Sequence, residues 1–309
     1  AISGAAEYSA DIAQMMGASV DDVVKKLTTD DVRQACDLFT QIYTSSKGVD
    51  GRVSIEVDPR LAHDTEGTIA AGKELWKIID RPNVMIKVPA TIEGLPAITE
   101  LIAAGISVNV TLIFSVKRYG QVIDAYMQGI DRCENPSSVH SVASFFISRI
   151  DSSVDALLKA NGTAEATALL GKAAIANAHL AYQLFEEKFS STKWLELEAK
   201  GANKQRPLWA STGVKDPAYP DTQYVIELIA PETVNTMPQS TLDALIDHGD
   251  VRGNTISGKY PEAVEVLKGL SALGISLDQI TTDLEVDGVK KFAQAWDELL
   301  ENVKAAQQS

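Results

Sequence analysis

The sequence predicts a single βα-barrel over residues 1–309, and three observations lead there. Six short strand patterns alternate with helical patterns from about residue 30 onward, the spacing that crossovers in a parallel sheet require. The clearest strands carry one apolar and one polar face, since successive side chains point to opposite sides. No Gly-x-Gly-x-x-Gly or Walker-type loop follows any strand, which removes the main support for a nucleotide-binding sheet. No internal repeat or interdomain linker interrupts the pattern.

Taken in order, Thr29-Asp30-Asp31 opens an amphipathic stretch, with Thr29 or Asp30 expected as its N-cap. The first strand pattern is Arg52–Asp58 (RVSIEVD), with Val53, Ile55 and Val57 on one face and Ser54, Glu56 and Asp58 on the other. Asp64 starts a helix that runs to about Ile79. The next strand lies in VMIKVPAT (84–91) and ends at Pro89, with Val84, Ile86 and Val88 opposing Asn83, Met85 and Lys87. A helix over Glu93–Ala104 is stopped by Gly105. In the strand Ser107–Phe114, Val108, Val110 and Leu112 oppose Ser107, Asn109 and Thr111. Ser115 is expected to cap a helix through Tyr126. A strand over His140–Ile147 precedes two helices, the longer near Ala173–Phe189. Arg206–Ser211 and Thr233–Met237 are the last strands, and an amphipathic helix from about Asp287 to Ala305 ends the chain. Periodicity leaves open whether that helix covers the barrel mouth or meets a partner subunit.

Composition narrows the function. With 309 residues, 45% hydrophobic and 23% charged, the chain can bury a substantial core. Its net charge of −14 gives no basic footprint for nucleic acid and disfavours acidic membrane surfaces. Cys36 and Cys133 have neither metal-site nor disulfide-framework spacing, so a reducing cytoplasm is the expected location. No apolar run approaches the ~18 residues of a membrane span, and no signal-peptide pattern is seen. His63, His140, His179 and His248 lack triad or ligand spacing and read as structural or surface residues.

Lys87 stands inside an otherwise apolar strand, where an ammonium is costly unless paired, solvated or neutralised. An antiparallel sheet with one wet face would explain the alternation, but the helical crossovers argue against it. In a closed barrel the polar face points inward, and reactive groups gather near the C-terminal strand ends. Lys87 then shares the interior with Glu56, Asn109 and Thr111. A desolvated lysine can lose its proton near neutral pH, and a neutral amine attacks carbonyls. Lys87 is therefore the expected Schiff-base nucleophile.

RVSIEVD, MIKVPAT, VNVTLIFS, SVASFFISRID and RPLWASTGVKDPAYPDT together resemble the transaldolases. The closest likeness is to the bacterial branch sometimes fused to a glucose-6-phosphate isomerase, and it runs in order along essentially the whole chain. Nothing in this sequence extends into an isomerase domain. The resemblance implies an α/β fold, a (β/α)8 TIM barrel of the class I aldolase type, with no metal and no other cofactor. It implies transfer of a dihydroxyacetone unit from sedoheptulose 7-phosphate or fructose 6-phosphate to glyceraldehyde 3-phosphate or erythrose 4-phosphate in the pentose phosphate pathway. Lys87 matches the Schiff-base lysine, Glu56 the carboxylate that moves protons through a bound water, and Thr111 the hydroxyl holding that water. Asn109 matches the amide that binds a substrate hydroxyl, and Ser144 and Phe146 match pocket positions. Arg149 and Ser211 match the phosphate-binding residues, and Lys215 falls near a second phosphate cation of other branches. Sugar phosphates are the implied partners, nucleic acid and membrane are not, and monomer and homodimer stay open.

Members of this family begin with two strands that have no counterpart in the sequence. The first carries an acid–base aspartate, so none can be named here, and AISGAAEY resembles the segment just after the second. Six of eight strands are thus expected, with the sequence the retained part of a longer protein. The alternative is an open barrel edge with exposed pairing groups. Two other functions compete: a fructose-6-phosphate aldolase-like lyase, and a non-catalytic sugar-phosphate-binding fragment.

Overall fold

Valine and isoleucine alternate along the strand patterns, and each pattern pairs with the next through its backbone. In the computed structural model, which describes residues 8–15 and 17–308, the strands are β1 (Val53–Glu56), β2 (Val84–Pro89), β3 (Val108–Ile113), β4 (Ser141–Phe146), β5 (Arg206–Ala210) and β6 (Val234–Asn235). Among the described residues they form one parallel six-stranded sheet in sequential order. The opening AISGAAEY falls almost wholly on residues 1–7, which lie outside the described residues.

Side chains measure how far the sheet curls. Asn109 on β3 donates to Ser54 on β1 at 3.0 Å, passing over β2. Arg206 at the start of β5 reaches Asp50, just before β1, at 3.1 Å. In a flat sheet these strands would stand roughly 10 and 19 Å apart. The sheet is therefore a curled α/β half-barrel, as the sequence led us to expect, with its polar face inward.

The helices are α1 (Ser9–Gln14), α2 (Val20–Ser45), α3 (Thr65–Ile79), α4 (Gly94–Ala103), α5 (Val116–Arg132), α6 (Ser148–Asn161), α7 (Ala164–Thr167), α8 (Ala173–Lys188), α9 (Thr192–Ala199), α10 (Gln223–Ile226), α11 (Gln239–His248), α12 (Tyr260–Ala272) and α13 (Leu277–Gln307). α5 shows why they pack. Tyr119, Val122, Ile123, Tyr126 and Ile130 recur at helical spacing and are all buried, so one stripe faces the sheet. Asp64 caps α3 and Ser115 caps α5, as expected, accepting from the amides of Gly67 and Arg118 at 3.0 Å each.

The first helix differs from expectation. α2 starts at Val20, where Ser19 accepts from the Asp22 amide at 3.1 Å. Neither Thr29 nor Asp30 is its cap: the Thr29 hydroxyl bonds back to the Lys25 carbonyl at 2.8 Å, and Asp30 accepts from Arg33 at 2.7 Å. The helix extends because Val23, Val24 and Leu27 are buried in a small second core with Ile12 and Val303. That core depends on α13, which begins at Leu277 and not at the expected Asp287. α13 also answers where the terminal helix goes. A Cβ at its Gly288 would stand 3.1 Å from Leu112 and 3.6 Å from Phe114, so α13 crosses the C-terminal end of β3. No helix among the described residues is long and apolar enough to cross a membrane.

Candidate active site

Register brings the reactive groups together. Glu56 and Lys87 are Cα partners across β1 and β2, and Lys87 and Asn109 across β2 and β3. Lys87 Nζ stands 3.3 Å from Glu56 Oε2, with the two side chains only 25% and 19% exposed. Burial pushes the Glu56 carboxyl above the usual carboxylate range, and the nearby Lys87 partly opposes that shift. Glu56 Oε1 and Thr111 Oγ1 are both buried with no hydrogen-bond partner, whereas most buried polar groups are paired.

Thr111 lies within a bulge. The β3–β4 register shifts between Val110 and Ile113, and Leu112 takes φ +60°. A bulge re-aims side chains, and a positive φ on leucine is strain that the surroundings must hold. The holding surface is α13, whose Gly288 sits on the Leu112 side chain. One layer lower, Asn109 is fixed by two hydroxyls: its amide nitrogen donates to Ser54 at 3.0 Å, and its oxygen accepts from Ser144 at 2.7 Å. Lys87, Asn109, Thr111, Ser144 and Phe146 all line one interior cavity of about 530 Å³, a size ordinary for small-molecule sites.

The far end of the site is built at the start of α6. Ser148 Oγ lies 3.0 Å from Ser211 Oγ, and the Ser148 amide donates to the Ser211 carbonyl at 3.0 Å. Ser211 itself has φ +56°. Next to this pair, the Arg149 guanidinium stacks on the Phe146 ring at 5.2 Å. One of its terminal nitrogens is buried without a partner. A guanidinium with free donors beside two hydroxyls and a helix N-terminus suits an anion. Arg149, Ser211 and Lys215 are not among the residues that line the interior cavity, and Lys215 lies apart from the other two. It is exposed and lines a separate hollow of about 420 Å³ with Lys159 and Asp216.

Three contributors escaped the sequence reading. The Phe292 ring on α13 lies 5.6 Å from Lys87 Nζ, within cation–π range. Arg118 on α5 clasps Glu285 on α13 through two bonds of 3.2 Å each, and burial raises the Glu285 carboxyl while Arg118 lowers it. In sequence, Phe292 is one apolar residue of an amphipathic helix, and nothing local links it to Lys87.

Comparison with known proteins places the whole chain. A family model described as Transaldolase/Fructose-6-phosphate aldolase matches residues 1–303. The chain is 55% identical over 307 residues to the transaldolase of Mycolicibacterium smegmatis, covering 97% of this chain and 83% of that protein. It is 57% identical over 304 residues to transaldolase 1 of Streptomyces avermitilis, covering 97% and 80%. With the transaldolase of Thermobifida fusca it shares 54% identity over 291 residues, covering 93% and 79%.

Proposed function

The chain belongs to the transaldolase/fructose-6-phosphate aldolase family and is an enzyme of the transaldolase type, and from that premise we propose that Lys87 carries the reaction as a Schiff base. The observation that carries this reading is the Lys87–Glu56 pair, 3.3 Å apart on the interior face at the C-terminal strand ends.

In this mechanism the uncharged Lys87 amine attacks the ketose carbonyl at C2. The carbinolamine hydroxyl leaves as water after taking a proton, and Glu56 is suited to supply it because burial keeps its carboxyl protonated more readily. A water between Glu56 Oε1 and Thr111 Oγ1 would relay that proton, since both atoms are free of protein partners. The iminium then accepts the electron pair of the C3–C4 bond as a base removes the C4 hydroxyl proton. An aldose phosphate departs, and the three-carbon enamine stays on Lys87 until an acceptor aldehyde restores a C–C bond. Because the iminium is itself the electron sink, the reading requires no metal or cofactor. Asn109, held by Ser54 and Ser144, would bind a substrate hydroxyl, with Phe146 as an apolar wall. Arg149 and Ser211 would hold the terminal phosphate, and Lys215 would meet phosphate only on its approach. Sedoheptulose 7-phosphate or fructose 6-phosphate as donor, a single barrel domain over 1–309 and a cytoplasmic location complete the proposal.

Product analysis with fructose 6-phosphate tests it. With erythrose 4-phosphate present, sedoheptulose 7-phosphate and glyceraldehyde 3-phosphate are expected, and Lys87→Ala should lower kcat by ~10⁴-fold or more. Free dihydroxyacetone released equally well without the acceptor would favour the lyase reading. Turnover that survives Lys87→Ala would overturn the Schiff base.

A further inference from the structure

The segment that follows Ser211 is fastened to α6 along its length. α6 carries Asp151, Asp155 and Lys159 at four-residue intervals, which is one stripe of a helix. The segment after β5 runs back along that stripe in reverse order. Tyr224 donates its hydroxyl to Asp151 at 2.7 Å, Tyr219 donates to Asp155 at 2.6 Å, and Lys159 pairs with Asp216 at 2.6 Å. At the head of the helix, Ser148 holds Ser211 through both its amide and its hydroxyl.

Both carboxylates are nearly inaccessible, at 2% and 5% exposure for Asp151 and Asp155. Their remaining oxygens are also used: Asp151 accepts from the Ala174 amide at 2.8 Å, and Asp155 from the Gly171 amide at 3.1 Å. Gly171 has φ +69°, and a Cβ there would stand 2.8 Å from the Tyr219 ring, so only glycine allows the ring to lie against this turn. Burial pushes Asp151 up to about 6 against the bonds that favour its charge. Surface connections are ordinarily mobile and lightly bonded. This one spends two buried carboxylates on being held still, which asks what needs holding. Its first residue is Ser211, in a strained left-handed conformation, and α6 begins with Ser148 and Arg149.

We propose that the Asp151–Tyr224 and Asp155–Tyr219 pairs position Ser211 against Arg149, making these four side chains positioning residues for phosphate recognition. The proposal rests on the phosphate reading of Arg149 and Ser211. All four line the outer hollow with Lys159 and Lys215, apart from the cavity that Lys87 lines, so their role is through the segment they hold.

Borohydride trapping separates this role from general support of the fold. Fructose 6-phosphate needs the phosphate site, whereas dihydroxyacetone reaches Lys87 without one. In the Tyr219→Phe/Tyr224→Phe double variant, the half-saturating concentration of fructose 6-phosphate should rise ~10-fold, the equivalent of about 1.4 kcal/mol. That of dihydroxyacetone should stay as in the parent. Asp155→Asn, which keeps the side-chain shape, should move the first value in the same direction by less. An equal rise for both ligands, or for neither, would overturn the positioning role. Arg149→Ala is the control: if it leaves the fructose 6-phosphate value unchanged, the phosphate reading itself fails. If it raises that value while the tyrosine variant does not, only the positioning proposal falls.

Discussion

Arg206 and Arg149 stand at opposite ends of the same barrel wall, and they are held in opposite ways. Arg206, at the N-terminal end of β5, donates to the carbonyls of Glu232, Thr233 and Val49 and to the Asp50 carboxylate, all between 3.1 and 3.3 Å. It ties β5 to the segments before β6 and β1 through four hydrogen bonds. The Arg149 guanidinium, just beyond the C-terminal end of β4, keeps one buried terminal nitrogen without a partner and leans on the Phe146 ring. A guanidinium has five N–H donors in a fixed fork. One whose donors are mostly used is a strut, and one with a donor nitrogen left over against a cavity-lining ring such as Phe146 is a receptor. Nearer the mouth, Glu56 and Thr111 also keep unpaired buried oxygens.

The comparison is sharpened first at the proton-transfer pair, where the largest effect lies. Glu56→Gln should lower kcat by ~10²- to 10⁴-fold while changing KM little. In the parent enzyme Glu56 as proton donor should set the alkaline limb of the pH–rate profile, at a pH above the ordinary carboxylate range because burial raises its carboxyl, and the variant should lose that limb. Steady-state kinetics from pH 4 to 9 read both. The two arginines come next. Arg149→Ala should raise KM for a sugar phosphate roughly 10- to 100-fold, the value of charge-assisted bonds worth about 1.5–3 kcal/mol, with thermal stability nearly unchanged. Arg206→Ala should do the reverse, costing about 2 kcal/mol of stability and leaving KM alone. Should both variants change the same quantity, the distinction between strut and receptor would collapse.

Phe292→Ala should have a smaller effect, lowering kcat by about 30-fold at most, since a partly buried cation–π contact is worth ~0.5–2 kcal/mol. The smallest expected effect is at the floor, where burial, then Arg52 and Arg206, push His140 down to about 4. The folded protein thus binds fewer protons than the unfolded chain between about pH 6.5 and 4. His140 contributes stability above the unfolded value of ~6.5 that is lost as pH falls toward 4. Asp151 has the opposite sign, since its raised folded value makes stability fall as pH rises from 3.8 to about 6. Melting temperatures of the parent and His140→Gln at pH 7 and pH 5 isolate the histidine: the parent should lose more than the variant on acidification.

What could be read from the sequence was what depends on neighbours along the chain. Period-two alternation placed Glu56, Lys87, Asn109 and Thr111 on one face; Lys87, Asn109 and Thr111 line one cavity, and the register sets Glu56 beside Lys87. Local caps at Asp64 and Ser115 were equally legible. The helix start at Val20 was not, because its apolar residues are buried by α13 from the other end of the chain. The bulge at Leu112 carries no glycine or proline to announce it, and the Arg118–Glu285 clasp joins residues 167 positions apart. Lys215 shows the limit of a motif: though close to Ser211 in sequence, it lines an outer hollow with Lys159 and Asp216.

The most direct test of Lys87 is to incubate the protein with fructose 6-phosphate, reduce with borohydride, digest, and map the adduct by peptide mass. A three-carbon adduct on the Lys87 peptide, absent from Lys87→Ala, is the expected result and reports both imine formation and C3–C4 cleavage. A six-carbon adduct there would mean an imine without cleavage. An adduct on a different lysine, or none on folded protein, would contradict the account.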